Sequence, residues 1–337
     1  MTNAIAVKNA AISIQDLVLE LPTPNGDVRV LDGVSFDIAP GEIVGIVGES
    51  GSGKSMTALT LMRLLPPGAN IVSGQLDFHG VDLSALSPRE LRKIRGRRIG
   101  MIFQDPMTTL DPVVQVGAQI DEAYRIHHPK ASRAEARLRT IEMLELVGVP
   151  DAARRAKQYP HQWSGGMRQR AVIAMALVND PEVVIADEPT TALDATIQAQ
   201  VLDVLVKVRD ELGVAIALIT HDLGLIAQFA SRAVVMYAGR VLEVAGTHEL
   251  FDDSRHPYTA ALISSRPGST PRGEDLVTIP GRPPAMDELP IGCPFAPRCV
   301  SPFKSEKCDK ERPSLEASAD GRLSACHYRN ERHEVMR

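Results

Sequence analysis

The sequence contains, at residues 48–55, Gly48-Glu49-Ser50-Gly51-Ser52-Gly53-Lys54-Ser55, followed by Met56. This run matches the pattern GxxxxGK[ST] of a phosphate-binding loop. Glycines let backbone N–H groups close around phosphate oxygens, the lysine supplies a charge for the β- and γ-phosphates, and the serine hydroxyl is a ligand for Mg²⁺. An apolar run at 41–48 leads into the loop, and a helical pattern follows it. The segment therefore predicts a nucleotide-binding site between a strand and a helix.

Apolar runs on either side of this loop extend the same pattern. Strands are predicted at 41–48, 98–104, 182–187, 215–221 and 233–239, and a helix at 131–149. Their alternation with amphipathic stretches is typical of an α/β fold with a largely parallel sheet. Between residues 266 and 297 the prolines are too dense for helices or central strands, so an extended connector is expected there.

The composition narrows the class of protein. The 337 residues carry a formal net charge of −5, with 44% hydrophobic, 23% charged and 4% aromatic residues. These values fit a globular protein of about two domains and argue against a dedicated nucleic-acid binder. The basic run at 89–98 is accordingly interpreted as a solvated helix face. The first residues lack the pattern of a signal peptide, and no apolar run approaches the ~18 residues of a spanning helix, so we expect any membrane role to act through partners.

Two further sequence features point to phosphate chemistry. Asp187 and Glu188 follow a buried-strand pattern, where a carboxylate can hold Mg²⁺ and a neighbouring one can polarise water. Ser164-Gly165-Gly166 precedes a helical stretch, which fits either an anion site or a simple helix cap.

Taken in order, these motifs resemble those of the nucleotide-binding subunit of ABC transporters. The resemblance covers about residues 10–250 and rests on the phosphate loop, SGGMRQR at 164–170, DEPTTALD at 187–194 and ITHD at 219–222. It implies an ATPase that closes as a pair on two ATP molecules, each held between one phosphate loop and the signature of the other subunit.

The resemblance also assigns roles to individual residues. It implies that Gln104 contacts Mg²⁺, together with Ser55 and Asp187, and senses the γ-phosphate. The remaining assignments are the catalytic carboxylate Glu188, the D-loop aspartate Asp194, the switch histidine His221, and the signature residues Ser164, Gly165, Gly166 and Met167.

The chain departs from the family pattern in three places. Trp163 stands where Leu is commonest, and Met167 stands where Gln is commonest. No aromatic residue occurs between residues 12 and 35, where the family usually stacks one on adenine. Val28 or Val30 is expected to supply an apolar contact instead.

All four cysteines lie near the C-terminal end, as Cys293, Cys299, Cys308 and Cys326. A reducing cytosol disfavours disulfides, zinc usually shows paired CxxC spacing, and a Cys₄ [4Fe–4S] cluster accepts long irregular spacing. HPYTAAL at 256–262 and GCPFAPRC at 292–299 resemble the C-terminal extension of oligopeptide/dipeptide ABC ATPase subunits, members of which carry such a cluster. The expected cofactor of the four thiols is therefore [4Fe–4S], with zinc or unligated thiols as alternatives.

The sequence analysis thus predicts an α/β P-loop NTPase of ABC type, with a RecA-like core sheet and an antiparallel edge sheet. We expect a nucleotide-binding domain at 1–250, a helical subdomain at about 105–165, and a Pro-rich, Cys-containing extension at 251–337.

The predicted function is ATP hydrolysis, with ATP and Mg²⁺, in a binding-protein-dependent importer of di- or oligopeptides at the cytoplasmic face of the inner membrane. Expected partners are a second, related ATPase subunit, two permease subunits and an extracytoplasmic binding protein, with no nucleic acid. The alternatives are a soluble ABC ATPase of DNA repair or translation, and an importer of nickel, glutathione or other small solutes. The sequence does not identify the transported substrate.

Overall fold

The computed structural model describes residues 9–191, 193–266, 278–331 and 333. The described residues form two compact units. Within the described residues, the first unit comprises 9–38, 44–84 and 220–333, and the second comprises 39–43 and 85–219. The predicted domain boundary near residue 250 and the limits of the predicted helical subdomain remain predictions.

Twelve strands occur in the described residues. In chain order they are β1 (Ile12–Thr23), β2 (Gly26–Ile38), β3 (Ile43–Val47), β4 (Asn70–Phe78), β5 (Val81–Asp82), β6 (Ile99–Ile102), β7 (Val183–Asp187), β8 (Ala215–Ile219), β9 (Arg232–Tyr237), β10 (Arg240–Gly246), β11 (Glu316–Ala317) and β12 (Leu323–Ser324). The five strands predicted from apolar runs are confirmed as β3, β6, β7, β8 and β9.

Twelve α-helices occur in the same part of the chain. They are α1 (Lys54–Leu61), α2 (Pro88–Ile94), α3 (Pro106–Thr109), α4 (Val116–His127), α5 (Arg133–Leu146), α6 (Ala152–Arg155), α7 (Gly165–Leu177), α8 (Ala195–Leu212), α9 (Leu223–Phe229), α10 (Thr247–Asp252), α11 (Pro257–Ser264) and α12 (Glu306–Lys310). The predicted helix at 131–149 is confirmed as α5. None of these helices combines the length and apolar content needed to cross a bilayer.

The first unit contains an antiparallel sheet with the strand order β2-β1-β4-β5, which confirms the antiparallel sheet predicted near the N-terminus. The same unit contains strands in the order β11-β12-β10-β9-β3, in which β3 runs parallel to β9. All five residues of β3 are buried, as its continuous apolar sequence requires. This strand delivers the chain to residue 48, where the phosphate loop begins.

The second unit contains the parallel strands β6, β7 and β8, with β7 in the middle and buried throughout. The carboxyl ends of β6 and β7 lie side by side because their pairing runs from Ile99 opposite Val183 to Ile102 opposite Ala186. Residues that follow these two strands are therefore neighbours, although about 80 positions separate them in the sequence. This edge of the sheet is where ligands bind in open α/β folds.

The Pro-rich stretch contributes no α-helix or strand over its described residues 278–297, in agreement with the predicted connector; the prolines at 267 and 271 lie outside the described residues. Beyond this stretch, β12 pairs with β10. The C-terminal segment, meaning the described residues after 250, therefore adds strands to the first unit.

A fully buried carboxylate fixes the start of α11. Glu243, on β10, accepts hydrogen bonds from the backbone N–H groups of Arg255 (2.6 Å) and His256 (3.0 Å). Burial raises the pKa of Glu243 to about 7 and lowers the pKa of His256 to about 3. The His256 Nδ1 atom in turn accepts a hydrogen bond from the backbone N–H of Tyr258. The position of Tyr258 therefore depends on Glu243.

Candidate nucleotide-binding site

The phosphate loop of the first unit connects β3 to α1 and needs its glycines. A Cβ on Gly48 would lie 2.1 Å from the backbone oxygen of Met236, and one on Gly53 would lie 2.8 Å from a methyl carbon of Leu31. Gly53 also has a φ of 101° at the position that caps α1. The first turn of α1 contains no acidic residue, so its N-terminus favours an anion. The local geometry is thus that of a phosphate cradle.

Lys54, the first residue of α1, is buried and bends back over the loop. Its ammonium donates hydrogen bonds to the backbone oxygens of Gly48 (2.8 Å) and Glu49 (3.0 Å), and it lies 3.4 Å from the Ser52 hydroxyl. Ser55 is partly buried in the first turn of the helix. A charge and a hydroxyl therefore stand next to the glycine-rich backbone, as the motif predicts.

Two residues of the C-terminal segment hold this loop, and sequence reasoning did not identify them. The Tyr258 hydroxyl accepts a hydrogen bond from the backbone N–H of Glu49 at 3.0 Å. The Arg298 guanidinium donates two hydrogen bonds to the Glu49 carboxylate, at 2.6 and 3.0 Å. Both residues lie in motifs that resemble the family's C-terminal extension, HPYTAAL at 256–262 and GCPFAPRC at 292–299. Those motifs gave no indication of a contact with the loop.

Strand β2 passes beside the end of the loop. The backbone oxygen of Val30 would lie 3.3 Å from a Cβ placed on Gly53. Val28 and Val30 are both partly exposed, and because they are two residues apart in a strand they share one face. Their predicted contact with adenine stays a prediction, now with a location next to the phosphate loop.

In the second unit, three predicted residues meet at the carboxyl edge of the sheet. Asp187, the last residue of β7, is only 6% exposed. Glu188 follows with a φ of 46°, in the left-handed region. Its Oε2 atom accepts hydrogen bonds from the Gln104 amide (3.0 Å) and the Thr191 hydroxyl (2.9 Å). The carboxylate is therefore held in place, and Thr191 is a partner that the sequence analysis missed.

The signature residues begin α7 in the same unit. The Ser164 hydroxyl caps the helix by accepting a hydrogen bond from the backbone N–H of Met167 at 3.4 Å. Ser164 and Gly165 are nevertheless exposed, and a Cβ on Gly166 would lie 2.6 Å from the Ile197 side chain. The cap and an accessible glycine-rich surface therefore coexist. The unusual Trp163 is buried, at 3% exposure.

The two remaining predicted residues stand at helix starts. Asp194 caps α8, because its carboxylate accepts a hydrogen bond from the backbone N–H of Ile197 at 3.0 Å. In the first unit, His221 is exposed and immediately precedes Asp222, which caps α9. Both side chains thus occupy loop positions from which they could reach a bound molecule.

The prediction of a [4Fe–4S] cluster is wrong. The described part of the chain, which includes all four cysteines, contains no group of three or more Cys, His, Asp or Glu side chains arranged to hold a metal ion, and this applies equally to zinc. All four cysteines line one cavity as free thiols. Burial raises the pKa of Cys293 to about 11 and that of Cys326 to about 12, so these thiols stay protonated and pack as small apolar groups.

The sequence matches two family profiles. One, described as ABC transporter, matches residues 31–191, and the other, described as oligopeptide/dipeptide transporter, C-terminal region, matches residues 242–308. The dipeptide transport ATP-binding protein DppD of Bacillus subtilis is 47% identical over 96% of both chains. A putative peptide import ATP-binding protein of Brucella abortus is also 47% identical over 96% of both chains. The oligopeptide transport ATP-binding protein OppD of Mycobacterium tuberculosis is 47% identical over 94% of this chain and 51% of its own length.

Two solved structures of ABC transporter proteins are similar in fold to this chain. The dimeric, post-hydrolysis structure of the ATP-binding cassette MJ0796 bound to ADP and Pi superposes with a TM-score of 0.63 at 29% identity, covering 70% of this chain and 98% of that one. The cbiO1 protein of Clostridium perfringens, part of an ABC transporter complex, superposes with a TM-score of 0.62 at 27% identity, over 72% of this chain and 91% of that one.

Proposed function

The chain belongs to the ATP-binding proteins of ABC transporters, and we propose that it is the ATP-hydrolysing subunit of an importer for di- or oligopeptides. The observation that carries the proposal is the 47% identity, over 96% of both chains, with proteins named for dipeptide transport and peptide import. The match to the oligopeptide/dipeptide C-terminal region supports the same substrate class.

The first unit would bind the phosphates of ATP. Loop residues 48–53 and the first turn of α1, through Met56, offer backbone N–H groups, and Lys54 brings its charge to the β- and γ-phosphates. A lysine ammonium has three N–H donors, and a charged phosphate oxygen would accept a stronger hydrogen bond from it than the neutral Gly48 carbonyl oxygen does.

The donor set fits Mg²⁺. Ser55 offers a hydroxyl and Asp187 a buried carboxylate, which are the oxygen donors that this ion prefers, and Gln104 adds an amide oxygen. When bound, Mg²⁺ neutralises negative charge on the phosphate oxygens. From the family match, which spans all three positions, we propose that these residues hold the ion.

The second unit would activate water. Glu188 follows the buried β7, and hydrogen bonds from Gln104 and Thr191 fix one oxygen of its carboxylate. A carboxylate held in this way can orient a water molecule and accept its proton as the water attacks the γ-phosphate. His221 would stabilise the same phosphate from its exposed position before α9.

A second ATPase subunit would complete each site. Ser164, Gly165, Gly166 and Met167 lie at the N-terminus of α7, where exposed backbone can meet the ATP of the partner subunit, and Asp194 would line the same interface. The dimeric state of the MJ0796 cassette supports this pairing. We propose a related but different chain as the partner. Two permease subunits would bind the pair at the cytoplasmic face of the membrane, and an extracytoplasmic binding protein would deliver the peptide.

Catalysis is tested with the variant Glu188→Gln. The amide cannot accept the proton of the attacking water, so phosphate release should fall at least a hundredfold, to the level expected after loss of a general base, while ATP still binds. Glu182→Gln is the matched control, because Glu182 lies just before β7 in an exposed ion pair with Arg98 and should retain wild-type turnover. Normal phosphate release by Glu188→Gln would refute the assignment of Glu188.

The transported substrate is tested by uptake. Cells that lack the gene should lose uptake of a radiolabelled dipeptide, and wild-type protein should restore it where Glu188→Gln does not. Unchanged peptide uptake together with loss of nickel or glutathione uptake would overturn the substrate class and leave the ATPase assignment intact.

A further inference from the structure

Glu49 of the phosphate loop is hydrogen-bonded through both its backbone and its carboxylate. Its backbone N–H donates to the Tyr258 hydroxyl, and its backbone oxygen accepts from the Ser52 N–H at 3.2 Å and from the Lys54 ammonium at 3.0 Å. Its carboxylate accepts two hydrogen bonds from Arg298. The carboxylate is thus engaged by Arg298, and the carbonyl that accepts from Lys54 belongs to a residue held by two side chains from outside the loop.

Arg298 is itself rigidly held. It ends the short 3₁₀ helix Ala296–Arg298, and its Nε atom donates to the backbone oxygen of Pro280 at 2.8 Å. The guanidinium lies 5.7 Å from the centre of the Tyr237 ring and 6.0 Å from that of Phe295. Its side chain is 5% exposed, so the ion pair with Glu49 is shielded from solvent, unlike the surface pairs that contribute little.

The aromatic cluster formed by Tyr237, Tyr258 and Phe295 connects these parts. The ring centres are 4.7 to 5.6 Å apart. Tyr237 ends β9, Tyr258 lies on α11 and Phe295 comes from the Pro-rich stretch. The C-terminal segment therefore reaches the phosphate loop through a packed core of its own unit.

We propose that Arg298 is a positioning residue for ATP binding: it fixes Glu49, and through the Glu49 carbonyl it places Lys54. The C-terminal segment then acts on nucleotide affinity as well as on stability. This inference rests on the proposed ATP-binding function. Because the positioned groups bind phosphate in the ground state and the transition state alike, loss of Arg298 should weaken ATP binding and leave turnover at saturating ATP within about twofold of the wild-type value.

The test compares Arg298→Gln with Arg322→Gln in the full-length chain. Arg322 is a suitable control because its side chain is 10% exposed, it bonds to Asp253 and Asp320 within the C-terminal part of the chain, and it has no hydrogen bond to the loop. ATP affinity is measured in EDTA, where hydrolysis stops. We expect the Kd for ATP to rise about tenfold in Arg298→Gln and to stay within about twofold in Arg322→Gln, even where both variants unfold at lower temperature.

A double-mutant cycle separates positioning from general destabilisation. Glu49→Gln, Arg298→Gln and the double variant should raise the Kd for ATP by similar factors, because the two side chains act as one unit. Arg298→Lys keeps the charge but lacks the paired N–H donors of the guanidinium, so it should recover only part of the affinity for ATP. Wild-type affinity in Arg298→Gln, or equal losses in Arg298→Gln and Arg322→Gln, would overturn the proposal.

Hydrogen exchange tests the same contact without nucleotide. Backbone amides at 48–55 should exchange faster in Arg298→Gln than in the wild type or Arg322→Gln. Unchanged exchange would refute the positioning role, whether or not the protein binds ATP. Failure of the wild type to bind ATP would instead refute the proposed function.

Discussion

The buried Glu243 makes the stability of the first unit depend on pH in a direction opposite to that of most carboxylates. Burial raises its pKa from 4.5 to about 7. The folded protein therefore binds a proton that the unfolded chain releases between these values. The contribution of Glu243 to the free energy of unfolding is fully present below pH 4.5 and is lost as the pH rises through about 7.

The magnitude follows from the two pKa values. One pKa unit corresponds to about 1.4 kcal/mol, so ionisation of Glu243 costs the folded state about 3 kcal/mol, of which about 2.5 kcal/mol falls between pH 5 and pH 8. The neighbouring His256 acts in the opposite sense: burial lowers its pKa to about 3, so its contribution is lost as the pH falls below about 6.5.

The assay is urea unfolding of the wild type and Glu243→Gln, followed by circular dichroism at pH values from 5 to 8. Gln does not ionise, and both proteins retain His256, so the difference in their free energies of unfolding isolates Glu243. Loss of one acceptor for the backbone N–H groups of Arg255 and His256 adds an offset that does not vary with pH. We expect the wild type to lose about 2.5 kcal/mol relative to the variant as the pH rises from 5 to 8. A constant or widening advantage of the wild type would refute the reasoning.

Substitutions at three positions test the site. Gly48→Ala would place a methyl group against the backbone of β9 and should cost about 3 kcal/mol of stability and at least tenfold in ATP affinity, measured by thermal unfolding and nucleotide titration. Asp194→Ala should lower the free energy of unfolding by about 1 kcal/mol because the α8 cap is lost, whereas Asp194→Asn should keep the cap and the stability. Loss of ATP turnover in both variants would show that Asp194 has a role beyond capping. Thr191→Val removes one donor to Glu188 and should slow phosphate release about three- to tenfold, or about 1 kcal/mol, with unchanged ATP affinity; unaltered release would remove Thr191 from the site.

The parts of the fold that sequence predicts well are those set by neighbouring residues. An apolar run such as β7 has only one stable place, the middle of a covered sheet. Gly51 and Gly53 have φ angles of 78° and 101°, a local backbone conformation that favours glycine. The proximity of Gln104 and Glu188 could also be anticipated, because both residues follow parallel strands whose carboxyl ends share one edge.

The contacts of the C-terminal segment could not be predicted in this way. Arg298 and Glu49 are 249 positions apart, and neither residue type nor spacing indicates that they meet. The cysteines illustrate the converse error. Their spacing suggested a shared metal cluster, but spacing does not specify the directions of side chains, and buried protonated thiols satisfy the same pattern.

The separation of Glu49 and Arg298 has a consequence during synthesis. At 5–20 residues per second, about 12 to 50 seconds pass between translation of the phosphate loop and translation of its anchor. A nascent chain emerging from the ribosome therefore carries an unanchored loop until residue 298 has been translated. If Arg298 positions the loop as proposed, a fragment released before residue 298 would bind ATP about tenfold more weakly than a chain that contains Arg298.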